Sequence, residues 1–179
     1  AAAMALSPDV RERGAKAFTE FLGTFFLCLT VAMSAKASPI APVAIGCALM
    51  VCIYAGGHIS GAHYNPAVTL AVCVRGGGKL SLTDGALYVA SQVVGALVAT
   101  LFSWAMIGDD ASGYAAPDPN AHVLSLCLCE LLITFALCSV VLHTATTEGQ
   151  AGNSFFGLAI GFTVLSGAVS VGAISGGAF

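Results

Sequence analysis

Charge is what this sequence has least of. Asp, Glu, Lys and Arg make up only 8% of its 179 residues, where a soluble domain carries about a quarter. No run of basic residues is present, and a formal charge of −3 with a pI near 5.7 gives no footprint for a phosphate backbone, so nucleic acid is not an expected partner. The seven cysteines (28, 47, 52, 73, 127, 129 and 138) sit in or beside apolar runs and lack the paired spacing of a zinc site. They read as small buried thiols. Enzyme signatures are missing too: there is no nucleophile-elbow glycine pattern, no paired catalytic carboxylates and no Gly-rich phosphate loop. His58 and His63 have no acidic neighbour to complete a metal site. An enzyme is therefore not expected, nor is any cofactor.

Apolar residues fill the space that charge leaves, at 58% of the chain with a mean hydropathy of +0.92. The expected surroundings are a lipid bilayer. Glycine, with 21 residues, fits a bundle of closely approaching membrane helices better than it fits a flexible chain. Five apolar segments, Ala17–Ala35, Ala41–Gly56, Leu82–Ile107, Val123–Thr144 and Ser154–Val171, each approach the roughly 20 residues that span a bilayer. The first is too long for a cleavable signal and no cleavage site follows it. Pro66–Val74 would be only about 14 Å long as a helix, so it is expected to enter and leave on one side. A cytoplasmic N-terminus gives that side Arg11, Arg13, Lys16, Arg75 and Lys79, leaving Lys36, Asp109, Asp110 and Asp118 opposite, which is the favoured orientation. Trp104 lies where an interfacial anchor would sit, although packing explains a lone Trp equally well.

The chain repeats itself. Glu20-Phe-Leu-Gly-Thr24-Phe25-Phe-Leu-Cys28 aligns with Glu130-Leu-Leu-Ile-Thr134-Phe135-Ala-Leu-Cys138. Further along, Gly57-His-Ile59-Ser60-Gly61-Ala-His63-Tyr64 aligns with Gly172-Ala-Ile174-Ser175-Gly176-Gly-Ala178-Phe179. Three spans separate the copies, so they are expected to face opposite ways, as in transport proteins whose site lies between inverted halves.

The stretch Gly57-His58-Ile59-Ser60-Gly61-Ala62-His63-Tyr64-Asn65-Pro66-Ala67-Val68-Thr69 carries the chemistry. Asn65 is placed to cap a helix that begins at Pro66, where a missing N–H costs nothing. Capping uses the Asn oxygen and leaves its amide NH2 as a free donor. Upstream, the Gly-rich linker is expected to be non-helical, with carbonyls lining a wet path as acceptors. Acceptors leading to a donor at a positive helix end would pass neutral polar solutes and oppose cations, protons included.

Ser60-Gly61-Ala62-His63-Tyr64-Asn65-Pro66-Ala67-Val68-Thr69, the repeated Glu-x-x-x-Thr-Phe and Ser91-Gln92-x-x-Gly95 together resemble the aquaporin or major intrinsic protein family, over about Ala17 to Phe179. The resemblance implies an all-α inverted-repeat bundle with a re-entrant half-helix, and a passive channel for water and small neutral solutes that works as a homotetramer. It divides the chain into a cytoplasmic segment 1–16, a first repeat 17–121 and an incomplete second repeat 122–179, with five spans present and the second half-helix and sixth span absent. It assigns the pore to Gly61, Ala62, His63, Tyr64, Asn65, Pro66 and Ala67. Family spacing places a selectivity ring at Ile45, Ala168 and Gly177. Aliphatic and small residues there resemble plant vacuolar-type members, which implies passage of ammonia, urea, glycerol or peroxide besides water.

Glu20 and Glu130 are carboxylates inside apolar spans, where a proton relay must be weighed. Their matched repeat positions, one turn into each helix, and the family's use of such residues favour loop support. His58 and His63 could sense pH, yet packing and loop bracing account for them better; His122 and His143 fall at the ends of a span. Gly157-x-x-x-Gly161 fits either a subunit contact or close packing within the bundle. Two alternatives to a channel stand beside it: a structural membrane subunit of the same shape, and a proton-coupled transporter using Glu20 or Glu130.

Overall fold

In the computed structural model, residues 7–34, 39–108, 116–177 and 179 are described. Lys36, Asp109, Asp110 and Ala178 lie outside them. The described residues form α1 (Pro8–Ser34), α2 (Ala41–Ser60), α3 (Pro66–Arg75), α4 (Leu82–Ile107), α5 (Val123–Ala145) and α6 (Phe156–Ser175), with a short 3-10 turn at Glu148–Gln150. Five of these helices are long and apolar enough to cross a membrane, and α3 is the short apolar helix. At 10 residues it is about 15 Å long, half of a hydrocarbon core of about 30 Å.

Two boundaries differ from the sequence reading. α1 starts at Pro8, so most of the segment assigned to residues 1–16 is helix. Its charges pair along the helix, Lys16 Nζ with Glu12 Oε1 at 2.6 Å and Arg13 with Asp9 at 3.5 Å, the i,i+4 spacing that supports an exposed turn. Glu20 consequently lies about three turns into α1 rather than one. The second correction concerns the linker: α2 stays helical through Gly57, His58 and Ile59 to Ser60, and Gly61 N–H donates to Gly57 O at 3.1 Å. That carbonyl is not a free acceptor, and the non-helical backbone shrinks to residues 61–65. A glycine inside a helix costs only about 1 kcal/mol, less than an unpaired backbone group at membrane depth.

The two Ile-Ser-Gly copies end their helices alike. Gly61 and Gly176 both adopt left-handed backbone, at φ 89° and 91°, a conformation glycine reaches without a Cβ penalty. Ser60 Oγ accepts from Ala62 N–H at 3.0 Å, and Ser175 Oγ from Gly177 N–H at 3.2 Å.

Helix contacts run in a circuit, α4 to α1, α1 to α2, α2 to α6, α6 to α5, α5 to α3 and α3 back to α4. Small residues let the backbones approach: a Cβ on Gly95 would come 2.5 Å from Phe21 O, and one on Gly161 2.5 Å from Gly46 O. Gly161 therefore serves packing within the bundle. The outer faces are apolar, with Leu97, Phe102, Trp104, Leu131 and Phe135 all more than half exposed. Such a continuous surface needs lipid or protein against it. All seven cysteines are free.

Gly161→Val should drive Cβ into the Gly46 carbonyl and cost about 1–3 kcal/mol. A lowered melting temperature of the detergent-extracted protein checks this; an unchanged one would mean that α2 and α6 are not in backbone contact.

Candidate functional site: a cavity closed by the half-helix

A cavity of about 560 Å³ runs through the middle of the circuit and touches all six helices, from Thr24 of α1, Ile45 of α2 and Val68 of α3 to Gln92 of α4, Val141 of α5 and Val164 of α6. Its wall is mostly aliphatic. Polar groups come from the turn between α2 and α3, where Gly61, Ala62, His63, Tyr64, Asn65 and Pro66 all line it, and from Thr144 at the end of α5 and Gln150 and Asn153 between α5 and α6.

Asn65 behaves as its position predicts. Its backbone is extended, and Oδ1 accepts from Ala67 N–H at 2.8 Å and Val68 N–H at 3.3 Å, capping α3 with Pro66 in the first turn. Nδ2 has no partner among the described residues, so a donor is left at the cavity wall. It stands at the N-terminal, positive end of the half-helix dipole. Ala67 contributes its N–H to the cap and does not itself line the cavity.

The turn is strained. Ala62 and Tyr64 have φ of 54° and 52°, unusual for any residue with a Cβ and more so for a bulky one. What holds it is Glu20, fully buried on α1. Oε1 accepts from Ser60 Oγ at 2.6 Å and His63 N–H at 3.0 Å, while Oε2 accepts from Tyr64 N–H at 2.7 Å and Gln92 Nε2 at 2.8 Å. Four donors around one carboxylate satisfy a group that would otherwise be costly in an apolar interior. The Tyr64 ring completes the anchorage. It fills a notch between Gly23 and Gly56, where a Cβ on either would overlap it, and its hydroxyl donates to Cys52 O at 3.0 Å.

Gln92, Thr69 and Tyr88 form the outer shell of this anchorage, and the sequence reading gave none of them a role. Gln92 Nε2 also donates to Thr69 Oγ1 at 2.9 Å, and Tyr88 OH donates to Ser60 O at 2.7 Å. All three are almost wholly buried. A signal did exist for Gln92, the one amide side chain in the apolar run Leu82–Ile107.

Other expected residues divide. Ile45 and Gly177 line the cavity. Ala168 does not; it lies one turn beyond Val164, the last α6 residue in the wall before the helix ends. Glu130 is half-buried on α5, about two turns from its start, and is not part of the cavity wall. His58 is exposed on α2, and His122 caps α5 by accepting from Leu124 N–H at 3.2 Å. No group of metal-binding side chains occurs among the described residues.

Glu20→Gln would replace two of the four acceptor contacts with an amide that faces N–H donors. A loss of about 3 kcal/mol or more is expected, measurable as a lower midpoint in denaturant unfolding of the micellar protein; stability equal to the parent would mean that the carboxylate does not hold the turn.

Comparison with known proteins adds identity to this geometry. The sequence profile described as "Major intrinsic protein" matches residues 11–179. Aquaporin-B of Dictyostelium discoideum is 35% identical over 89% of this chain and 66% of its own length. Aquaporin NIP1-3 of Oryza sativa subsp. japonica is 36% identical over 90% of this chain and 58% of its own, and aquaporin NIP1-2 of Arabidopsis thaliana 37% identical over 90% and 59%. The chain thus spans about three fifths to two thirds of these relatives. The X-ray structure of the aquaglyceroporin from Plasmodium falciparum shares the fold, with a TM-score of 0.75 at 22% identity over 91% of this chain and 75% of that one. The plant relatives are of the NIP type, which corrects the vacuolar-type resemblance. That resemblance rested on the two side chains at Ile45 and Ala168, and Ala168 is not in the cavity wall. Five membrane-length helices, a capped half-helix and the family-wide match make this chain a multi-pass integral membrane protein that belongs to the major intrinsic protein family.

Proposed function

We propose that this chain forms most of a passive conduit for water and small neutral solutes, with its N-terminus on the cytoplasmic side. The observation that carries the reading is Asn65, whose oxygen is consumed by the cap while its NH2 remains at the cavity wall beside a strained, Glu20-braced turn. A donor at the positive end of a half-helix donates to the oxygen of water, an alcohol or an amide and repels a cation. The printed names of the relatives, aquaporins and an aquaglyceroporin, agree with such solutes. The repeat, with its matched Ser-Gly helix ends, supports an inverted-repeat architecture in which Gly176 and Gly177 begin a second turn opposite the first. Ile45 and Gly177 would form part of the narrower ring, and a homotetramer is the proposed assembly.

Glu20 argues against proton-coupled transport. Both of its oxygens are engaged by donors, two of them backbone N–H groups that cannot leave without unmaking the turn. A non-conducting structural subunit remains the other reading, and flux measurement separates the two.

In proteoliposomes under stopped-flow osmotic challenge, shrinkage should be faster than in empty vesicles, and Asn65→Asp should alter it. Absence of flux from folded protein would favour the structural subunit. Ile45→Phe should reduce urea and glycerol flux more than water flux; equal reductions would remove Ile45 from the ring.

A further inference from the structure

The hydroxyl of Thr69 settles a question about His63 that no distance answers alone. Oγ1 of Thr69 lies 3.0 Å from Asn65 O, 2.9 Å from Gln92 Nε2 and 3.2 Å from His63 Nδ1. It has one hydrogen and two lone pairs to share among the three.

Glu20 fixes the first assignment. Its Oε2, which also accepts from Tyr64 N–H, faces the Gln92 amide at 2.8 Å, so that end of the amide is NH2, and the second hydrogen of the same nitrogen reaches Thr69. The opposite orientation would set the Gln92 oxygen against a carboxylate. One lone pair of Thr69 is thereby used. Asn65 O fixes the second assignment, because a carbonyl can only accept, and at 3.0 Å it requires the Thr69 hydrogen. What remains on Oγ1 is a lone pair, and the remaining neighbour is Nδ1 of His63. That nitrogen must carry a hydrogen.

We infer that His63 is held as the Nδ1-protonated tautomer, so that Nε2 offers a lone pair at the cavity wall two residues before the free Asn65 NH2. Which nitrogen of a histidine is protonated follows from the bond the other makes. His63 lines the cavity, its ring packs edge-on to Tyr88 at 5.4 Å, and Nε2 has no partner among the described residues. The missing side chain at Gly61 leaves the approach to Nε2 open, since a Cβ there would sit in contact with it at 3.4 Å. The wall then carries an acceptor and a donor side by side. A solute able to donate and accept at once, such as water or a hydroxyl, engages both. This use by a solute rests on the conduit reading, whereas the tautomer does not.

Nitrogen-15 NMR of histidine-labelled protein in lipid bilayers tests the tautomer, with His63 assigned by the signals that vanish in His63→Gln. The expected spectrum at neutral pH has a protonated Nδ1 and a pyridine-type Nε2. Thr69→Ser should preserve it, and Thr69→Val should convert a substantial share of His63 to the Nε2–H form. An Nε2–H tautomer in the unaltered protein overturns the inference, whether or not the protein conducts. In flux assays His63→Phe should shift the glycerol-to-water permeability ratio several-fold, and an unchanged ratio in folded protein removes His63 from the selectivity of the wall. Unaltered protein that shows the pyridine-type Nε2 but no flux would leave the tautomer standing and sink the conduit.

Discussion

One carboxylate in an apolar helix governs this molecule. Glu20 accepts four hydrogen bonds and thereby joins α1, the end of α2, the turn and α4 into a unit. Without it, the backbone N–H groups of His63 and Tyr64 would sit unpaired in a low-dielectric interior, a cost of about 1–3 kcal/mol for each. The positive φ of Ala62 and Tyr64 would have nothing to sustain it. The orientation of Gln92, the hydrogen of Thr69 and the ring of His63 follow in sequence from the same negative charge. A buried polar network of this kind is fully specified or it is destabilising, and among the fully buried side-chain atoms of the described residues only the Gln92 oxygen and the Thr24 hydroxyl lack a partner.

The rest of the bundle is held in a different way. Lipid offers helices no hydrophobic drive to associate, so contact depends on close van der Waals approach. Gly95 against α1 and the Gly46–Gly161 pair between α2 and α6 provide that approach. Bulky apolar side chains point outward instead, the reverse of a water-soluble bundle. The cavity lies between these contacts, with Asn65 and Pro66 at the N-terminus of the half-helix in its wall.

Local features were legible in the sequence and shared ones were not. The Asn65 cap, the Pro66 start and the shortness of α3 depend on neighbouring residues, and each stands as the sequence indicates. Glu20 could be singled out because a carboxylate in an apolar run needs a reason. Its four partners lie 40, 43, 44 and 72 residues away, and only the fold brings them together. The helical course of Gly57 to Ser60 was misread because glycine is a helix breaker in water, where the peptide group has an alternative partner. In an apolar medium it has none, and the helix continues. The extra turns of α1 were missed because their residues are charged; i,i+4 pairing, not apolarity, supports them. The vacuolar-type resemblance is corrected by the NIP-type relatives; it rested on two side chains, Ile45 and Ala168, too few to distinguish one branch of the family from another.

The 72-residue separation between Glu20 and Gln92 also sets a timetable for biogenesis. A ribosome adding about 5–20 residues per second makes Gln92 roughly 4–14 s after Glu20. Until Ser60, His63 and Tyr64 follow, 40 to 44 residues on, the carboxylate has none of its four donors, a state that insertion penalises by kilocalories near a helix centre. The aromatic and aliphatic residues around Glu20, Phe21, Leu22, Phe25 and Phe26 among them, supply the hydrophobicity that lets the helix enter nonetheless. Maturation of the nascent chain then has a defined endpoint. The anchorage of the turn is complete when α4 arrives and its glutamine closes the last bond to Glu20.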